Sequence, residues 1–164
     1  MLLCLFCLGC SSMLGSCSMS DSEDSDEVVE RVKVGDRVPS FTAEMVGAGG
    51  STFTFSSADL KGETVIVFFN TWCKDCQREL PRLNDYYLQH REDEGFQMVA
   101  ISRAEAGENV ADFWADNGLQ IPYSAQEDRH IYDLFASSVI PRVYFCSAQG
   151  IVTKVFIETI EGDL

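Results

Sequence analysis

The sequence predicts an α/β domain: a mixed central sheet flanked by helices, with an N-terminal β-hairpin. Three observations carry this. Thr64 to Asn70 is a continuous β-branched and aromatic run, the residues after it have helical apolar spacing, and Phe96 to Ser102 is a second apolar strand. A strand buried on both faces, followed by a helix and another strand, is a βαβ unit. Strands at Arg142 to Cys146 and Ile151 to Ile157, joined by the turn Ser147-Ala148-Gln149-Gly150, add an antiparallel pair, so the sheet is mixed.

The remaining elements follow in chain order. Phe41 to Val46 and Thr52 to Phe55, separated by Gly47-Ala48-Gly49-Gly50, form the hairpin, and Ser57 to Gly62 is a turn. Lys74 to His90 places Leu80, Leu83, Tyr87 and Leu88 at helical spacing. Asn109 to Asn117 is a helix stopped by Gly118, and Asp128 to Ala136 is another. No internal repeat and no second linker follow Val38.

The 164 residues, 46% of them apolar and 23% charged, suffice for one domain with an ordinary core. The 26 acidic and 12 basic residues give a net charge of −14, which argues against a nucleic-acid partner. Asp21, Glu23, Asp24, Asp26, Glu27 and Glu30 all precede the first basic residue, Arg31; without them 20 acids face 12 bases. Four of the seven cysteines (Cys4, Cys7, Cys10 and Cys17) lie at the amino terminus, and three (Cys73, Cys76 and Cys146) in the body. Three body cysteines are too few for a disulfide scaffold.

Residues 1–17 read as a lipoprotein signal peptide. Met1 to Leu14 is apolar apart from Gly9, Ser11 and Ser12, and shorter than the roughly 20 residues that span a bilayer. Leu14-Gly15-Ser16-Cys17 resembles a lipobox, making Cys17 the expected lipidation site and the membrane the expected anchor point. Cys7-Leu8-Gly9-Cys10 is a second candidate. The segment lacks the usual basic start, so a cytosolic protein with a wrongly assigned start competes with this reading. Residues 18–32 are acidic and read as a flexible tether, and 33–164 as the folded domain.

Trp72-Cys73-Lys74-Asp75-Cys76 falls where the buried strand gives way to a helix. Two cysteines three apart there share one face, close enough for a small-loop disulfide. Free backbone N–H groups and the helix dipole favour a thiolate on the first of them. Cys73 is therefore the expected nucleophile and Cys76 the resolving thiol. A C-x-x-C beside a βαβ pattern reads as a thioredoxin-like redox motif.

Gly35-Asp36-Arg37-Val38-Pro39-Ser40-Phe41, Leu60-Lys61-Gly62, Val65 to Cys76 and Arg78-Glu79-Leu80-Pro81 together resemble the thioredoxin-fold reductases of the TlpA/ResA type. Ser138 to Phe145 and Gly150-Ile151-Val152 continue the likeness, which spans roughly residues 33–157. The resemblance implies a thioredoxin-like fold and a protein-disulfide reductase in the cell envelope. It also implies disulfide-containing protein substrates, a membrane electron donor and no cofactor. Cys73 and Cys76 match the redox pair that forms the disulfide, and Pro141 the cis-proline facing it. Ile140 matches the residue whose backbone pairs with a substrate strand, and an Ile there resembles reducing members of the superfamily. Glu79 matches an acid that helps move protons, a role open here because Val67 stands where cytosolic thioredoxins carry a buried Asp. Trp72 lies beside the pair as packing and substrate contact. Arg142 departs from the small Thr usual after the cis-proline. Relatives close the fold with one more helix, whereas Glu158 to Leu164 permit at most a short one or mark a truncation.

Competing readings remain. The cysteine pair as half a zinc site lacks further ligands, since His90 and His130 are isolated, so no metal is expected. Pro141 as a trans turn proline, Glu79 as a solvated helix residue, and Trp114 in core or on surface all stay open, while Cys146 reads as a buried, inert thiol. A peroxidase of the same fold needs Thr or Ser three residues before its cysteine and Pro four further back. Asn70 and Ile66 stand there for Cys73, and Cys73 and Phe69 for Cys76. A docking or isomerase module without net reductase activity is the remaining alternative.

Overall fold

A computed structural model describes residues 29–162 and 164. The expected signal peptide and lipidation site, Cys17, lie outside the described residues, as does most of the expected tether. The described chain forms β1 (Thr42–Val46), β2 (Thr52–Ser56), β3 (Thr64–Phe69), α1 (Lys74–His90), β4 (Gln97–Ser102), α2 (Gly107–Asp116), β5 (Tyr123–Ser124), β6 (Arg142–Cys146) and β7 (Val152–Ile157). The strands make one mixed seven-stranded sheet in the order β2-β1-β5-β4-β3-β6-β7.

All six residues of β3 are buried, as a strand flanked by neighbours on both edges and covered on both faces requires. It runs parallel to β4 and antiparallel to β6, with Phe68 opposite Arg142. On α1, Leu80 and Leu83 sit on the buried stripe together with Cys76, Glu79 and Asn84. Phe68 heads an aromatic cluster with Tyr132, Phe135 and Tyr144 at ring separations of 4.8–6.1 Å. Trp114 belongs to the core: it stacks at 4.8 Å on Phe69, and its indole N–H donates to the Ile121 carbonyl at 2.8 Å.

Three features differ from the sequence reading. Asp128 to Ala136 is not a helix; only Tyr132–Leu134 makes a single 3-10 turn. Residues 29–32 explain why. The Phe135 carbonyl accepts the N–H groups of Arg31 and Val32, and Ser137 N–H donates to the Val29 carbonyl, so beyond the isolated turns at Arg129–Ala136 the end of the segment pairs with residues 29–32 instead of continuing a helix. Those four residues, assigned from sequence to the tether, therefore run along the domain, with Val32 buried. The second difference is β5, two residues after Pro122, whose Tyr123 pairs with Val46 on one side and Ala100 on the other. It joins the hairpin to the main sheet. Third, residues 158–162 form no helix; Thr159 bridges back to Ile157 and Ile160 is buried.

Cys146 is buried in β6, and burial pushes its thiol from 9.0 up to about 12. An unfolded chain releases that proton near 9.0, whereas the folded chain holds it. The contribution to stability is thus complete below pH 9 and is lost as the pH rises toward 12. Urea unfolding of the reduced protein between pH 8 and 11.5 should show a declining limb of up to about 1.4 kcal/mol per pH unit from this group. Cys146→Val should make that limb shallower, the buried Cys76 thiol still contributing its own decline, and parallel curves for the two proteins would contradict the assignment.

Candidate active site

The β3 run ends at Asn70, and Thr71-Trp72-Cys73 turn the chain into α1. The turn is held by a bond from Cys73 N–H to the Asn70 carbonyl at 3.4 Å. Cys73 is the N-cap of α1, its extended backbone letting Sγ accept from Cys76 N–H at 3.5 Å. The same Sγ donates to the Ile140 carbonyl at 3.5 Å. Cys76 is wholly buried one turn in, and Trp72 is 65% exposed at the rim. Both sulfurs are free thiols. Burial holds the Cys76 thiol far above the ordinary range, partly offset by the Asn70 backbone N–H. The two thiols thus differ in access: Cys73 is half-buried, whereas Cys76 is wholly covered.

Opposite stands the loop before β6. The Ile140–Pro141 peptide is cis, and both residues are buried. The structure therefore brings Trp72, Cys73, Cys76, Ile140 and Pro141 to one end of the sheet, around the carboxyl end of β3. Arg142 follows inside, fully buried, its Nε donating to the carbonyls of Ser138 and Val139.

Glu79 is 1% exposed, so it is not a solvated helix residue. Its Oε1 accepts from Arg78 Nε and its Oε2 from Arg82 Nη1, both at 2.9 Å. Arg82 also donates to the carbonyls of Ile160 and Gly162 at 2.8 Å, and Arg78 to Thr159 Oγ1 at 3.2 Å. The carboxylate is thus the hub that fastens residues 158–162 to α1. Among the described residues no hydrogen bond joins it to either sulfur.

Glu105, between β4 and α2, is absent from the sequence reading. It is buried, and its Oε2 accepts the Thr71 N–H at 2.7 Å while Oε1 accepts the Thr71 hydroxyl. Asn70 Nδ2 donates to the Arg103 carbonyl at 2.8 Å, so this loop and the cysteine turn are clasped together. A lone Glu thirty-four positions from its partner leaves no spacing signal. Val67 is buried in β3. His90 pairs with Asp93 and His130 with Asp128, and among the described residues no three His, Cys, Asp or Glu gather as metal ligands.

A thioredoxin-like sheet with two cysteines at the start of α1 facing a cis-proline defines the class of protein, and comparison with known proteins gives the family. The chain belongs to the AhpC/TSA family, whose model matches residues 34–155. It is 30% identical over 132 residues to the thiol-disulfide oxidoreductase ResA of Bacillus subtilis, covering 80% of this chain and 71% of that protein. The thioredoxin family thiol:disulfide interchange protein of Chlorobium tepidum TLS is 27% identical, with a TM-score of 0.63 over 80% of this chain and 89% of that one. A solution structure from Bacteroides thetaiotaomicron matches at a TM-score of 0.71 and 25% identity, covering 79% of this chain and 82% of that one. The protein is an enzyme of the thiol-disulfide oxidoreductase class.

The environment of Glu79 yields a direct test. Glu79→Gln keeps the shape but removes the charge shared by two guanidinium groups that are about half exposed. It should cost about 1 kcal/mol in urea unfolding while leaving the pH profile of disulfide reduction in place between pH 5 and 9. A displaced profile would instead make Glu79 a proton carrier.

Proposed function

We propose that this protein reduces disulfides of protein substrates outside the cytosol through a Cys73/Cys76 dithiol, held at a membrane by lipid on Cys17. The observation that carries the reading is the pairing of a half-buried Cys73, in reach of the Ile140 carbonyl, with a fully buried Cys76 one helical turn away. The Cys73 thiolate attacks a substrate disulfide, forming a mixed disulfide and releasing one substrate thiolate, which takes up a proton. Cys76, once deprotonated, attacks the Cys73 sulfur; the Cys73–Cys76 disulfide forms and the second substrate thiolate leaves. Two electrons pass to the substrate, and a membrane electron donor restores the dithiol.

Burial of Cys76 supports this order, because a neutral, covered thiol does not compete for the first attack. Trp72 and the Ile140 backbone serve the substrate: an exposed indole at the rim offers an apolar contact, and Ile140 a strand-like edge. The apolar leader and Leu14-Gly15-Ser16-Cys17 support the anchor. No helix among the described residues is long and apolar enough to cross a membrane. The residues before each cysteine give a peroxidase reading no support.

Insulin reduction driven by dithiothreitol tests the activity. The wild type should exceed a Cys73→Ser control by at least about tenfold, with the couple nearer the roughly −270 mV of thioredoxin than the roughly −120 mV of a strong oxidant. No excess over the control supports a docking module. A potential above about −180 mV, with disulfide recovered from intact cells, overturns the reductase reading in favour of an oxidase or isomerase. Fatty-acid label should disappear in Cys17→Ala and persist in Cys10→Ala; an unlabelled wild type ends the anchor.

A further inference from the structure

Arg142 is the largest side chain that the fold buries completely. Its Nε donates to the Ser138 carbonyl at 3.1 Å and the Val139 carbonyl at 3.2 Å, while among the described residues Nη1 and Nη2 make no hydrogen bond of ordinary geometry and have only the neutral Tyr144 phenol nearby. Among the described residues no carboxylate forms an ion pair with it. A buried charge without a counter-ion costs stability, and replacing such a group by an apolar one of similar size is often tolerated or even favourable. Stability alone does not account for this guanidinium.

The two carbonyls point to what it does. Val139 has φ +71°, the left-handed region in which a β-branched residue is a genuine outlier. Its carbonyl takes a second hydrogen bond from Tyr132 Oη at 2.8 Å. The next residue is Ile140, whose carbonyl faces Cys73 Sγ. Arg142 and Tyr132 therefore grip the peptide directly before the residue that meets the redox pair. The aromatic cluster of Phe68, Phe135 and Tyr144 fixes Tyr132 and the wall behind it.

We propose that Arg142 is a positioning residue for protein substrates, a clamp that holds Val139 in its left-handed bend and thereby presents the Ile140 backbone to an incoming extended strand. This rests on the disulfide-reductase reading above and adds how that site distinguishes substrates. Arg142 touches neither sulfur and acts through Val139. A small disulfide reaches Cys73 without lying along Ile140, so it does not draw on the clamp; a folded protein presenting a strand does.

The test uses the full chain and two substrates, insulin and hydroxyethyl disulfide, with dithiothreitol as reductant. In Arg142→Met the ratio of kcat/KM for insulin to kcat/KM for the small disulfide should fall by at least about tenfold, mostly through KM. Adding Val139→Gly to that variant should restore the ratio to within about threefold, because glycine takes this φ without being held. If Arg142→Met does not fold, the ratio is read on Arg142→Lys, which keeps the charge but lacks the planar guanidinium; the same fall is expected. An unchanged ratio in a folded variant, an equal fall for both substrates, or no restoration by Val139→Gly overturns the clamp. A wild type active on both substrates with an unchanged ratio in the variant sinks only this proposal. A wild type inert toward both sinks the reductase reading as well.

Discussion

The antiparallel register of β6 on β3, with Phe68 opposite Arg142, fixes the geometry of the whole redox end. β3 leaves the sheet one residue after Phe68 and delivers Cys73 to the start of α1, while β6 begins at Arg142, immediately after the cis-proline. The strand exit and the strand entry therefore meet at one place, and the Cys73 sulfur finds the Ile140 carbonyl. A slip of one residue in that register would turn every β3 side chain to the opposite face. Because all six β3 residues are buried, such a slip would exchange the packing on both faces at once, so the site's geometry is underwritten by the core.

Around that meeting point, most of the surrounding bonds restrain backbone. Glu105 holds Thr71, Asn70 holds the Arg103 carbonyl, and Arg142 with Tyr132 holds the Val139 carbonyl. Among the described residues none of these side chains forms a hydrogen bond with a sulfur; the Asn70 backbone N–H bears on Cys76. Their effect is to present a half-buried thiol and an extended backbone edge in fixed relation, with the second thiol kept neutral beneath by burial. In the proposed reaction only one sulfur meets the partner before the mixed disulfide forms, and the second attacks afterwards.

The parts of this arrangement with a period or a spacing were legible in the sequence. Thr64 to Asn70 announces a doubly buried strand, and Lys74 to His90 coincides with α1 at both ends because the cysteine cap and the apolar stripe mark it. Cys73 and Cys76 stand out by the C-x-x-C spacing, and Pro141 by the resemblance. What escaped is what depends on distant partners. The 128–136 segment reads as a helix, but at its end the Phe135 carbonyl bonds to Arg31 and Val32, about a hundred positions earlier. β5 is too short for any pattern and exists because β1 and β4 flank it. Glu105 is one acid among twenty-six, and only the fold shows it reaching Thr71. Arg142 stood out by its type, as a large cation after the cis-proline, but its burial and the carbonyls it grips could not be read from that.

The division of labour between the two cysteines is the claim on which the functional account turns, and trapping measures it most directly. Cys76→Ser removes the resolving thiol and leaves Cys73 to form a mixed disulfide with an oxidised protein substrate. Mass spectrometry of the trapped adduct should find the substrate joined to Cys73, whereas Cys73→Ser should trap nothing at the buried Cys76. Adducts on Cys76, or equal trapping by both variants, would contradict the account.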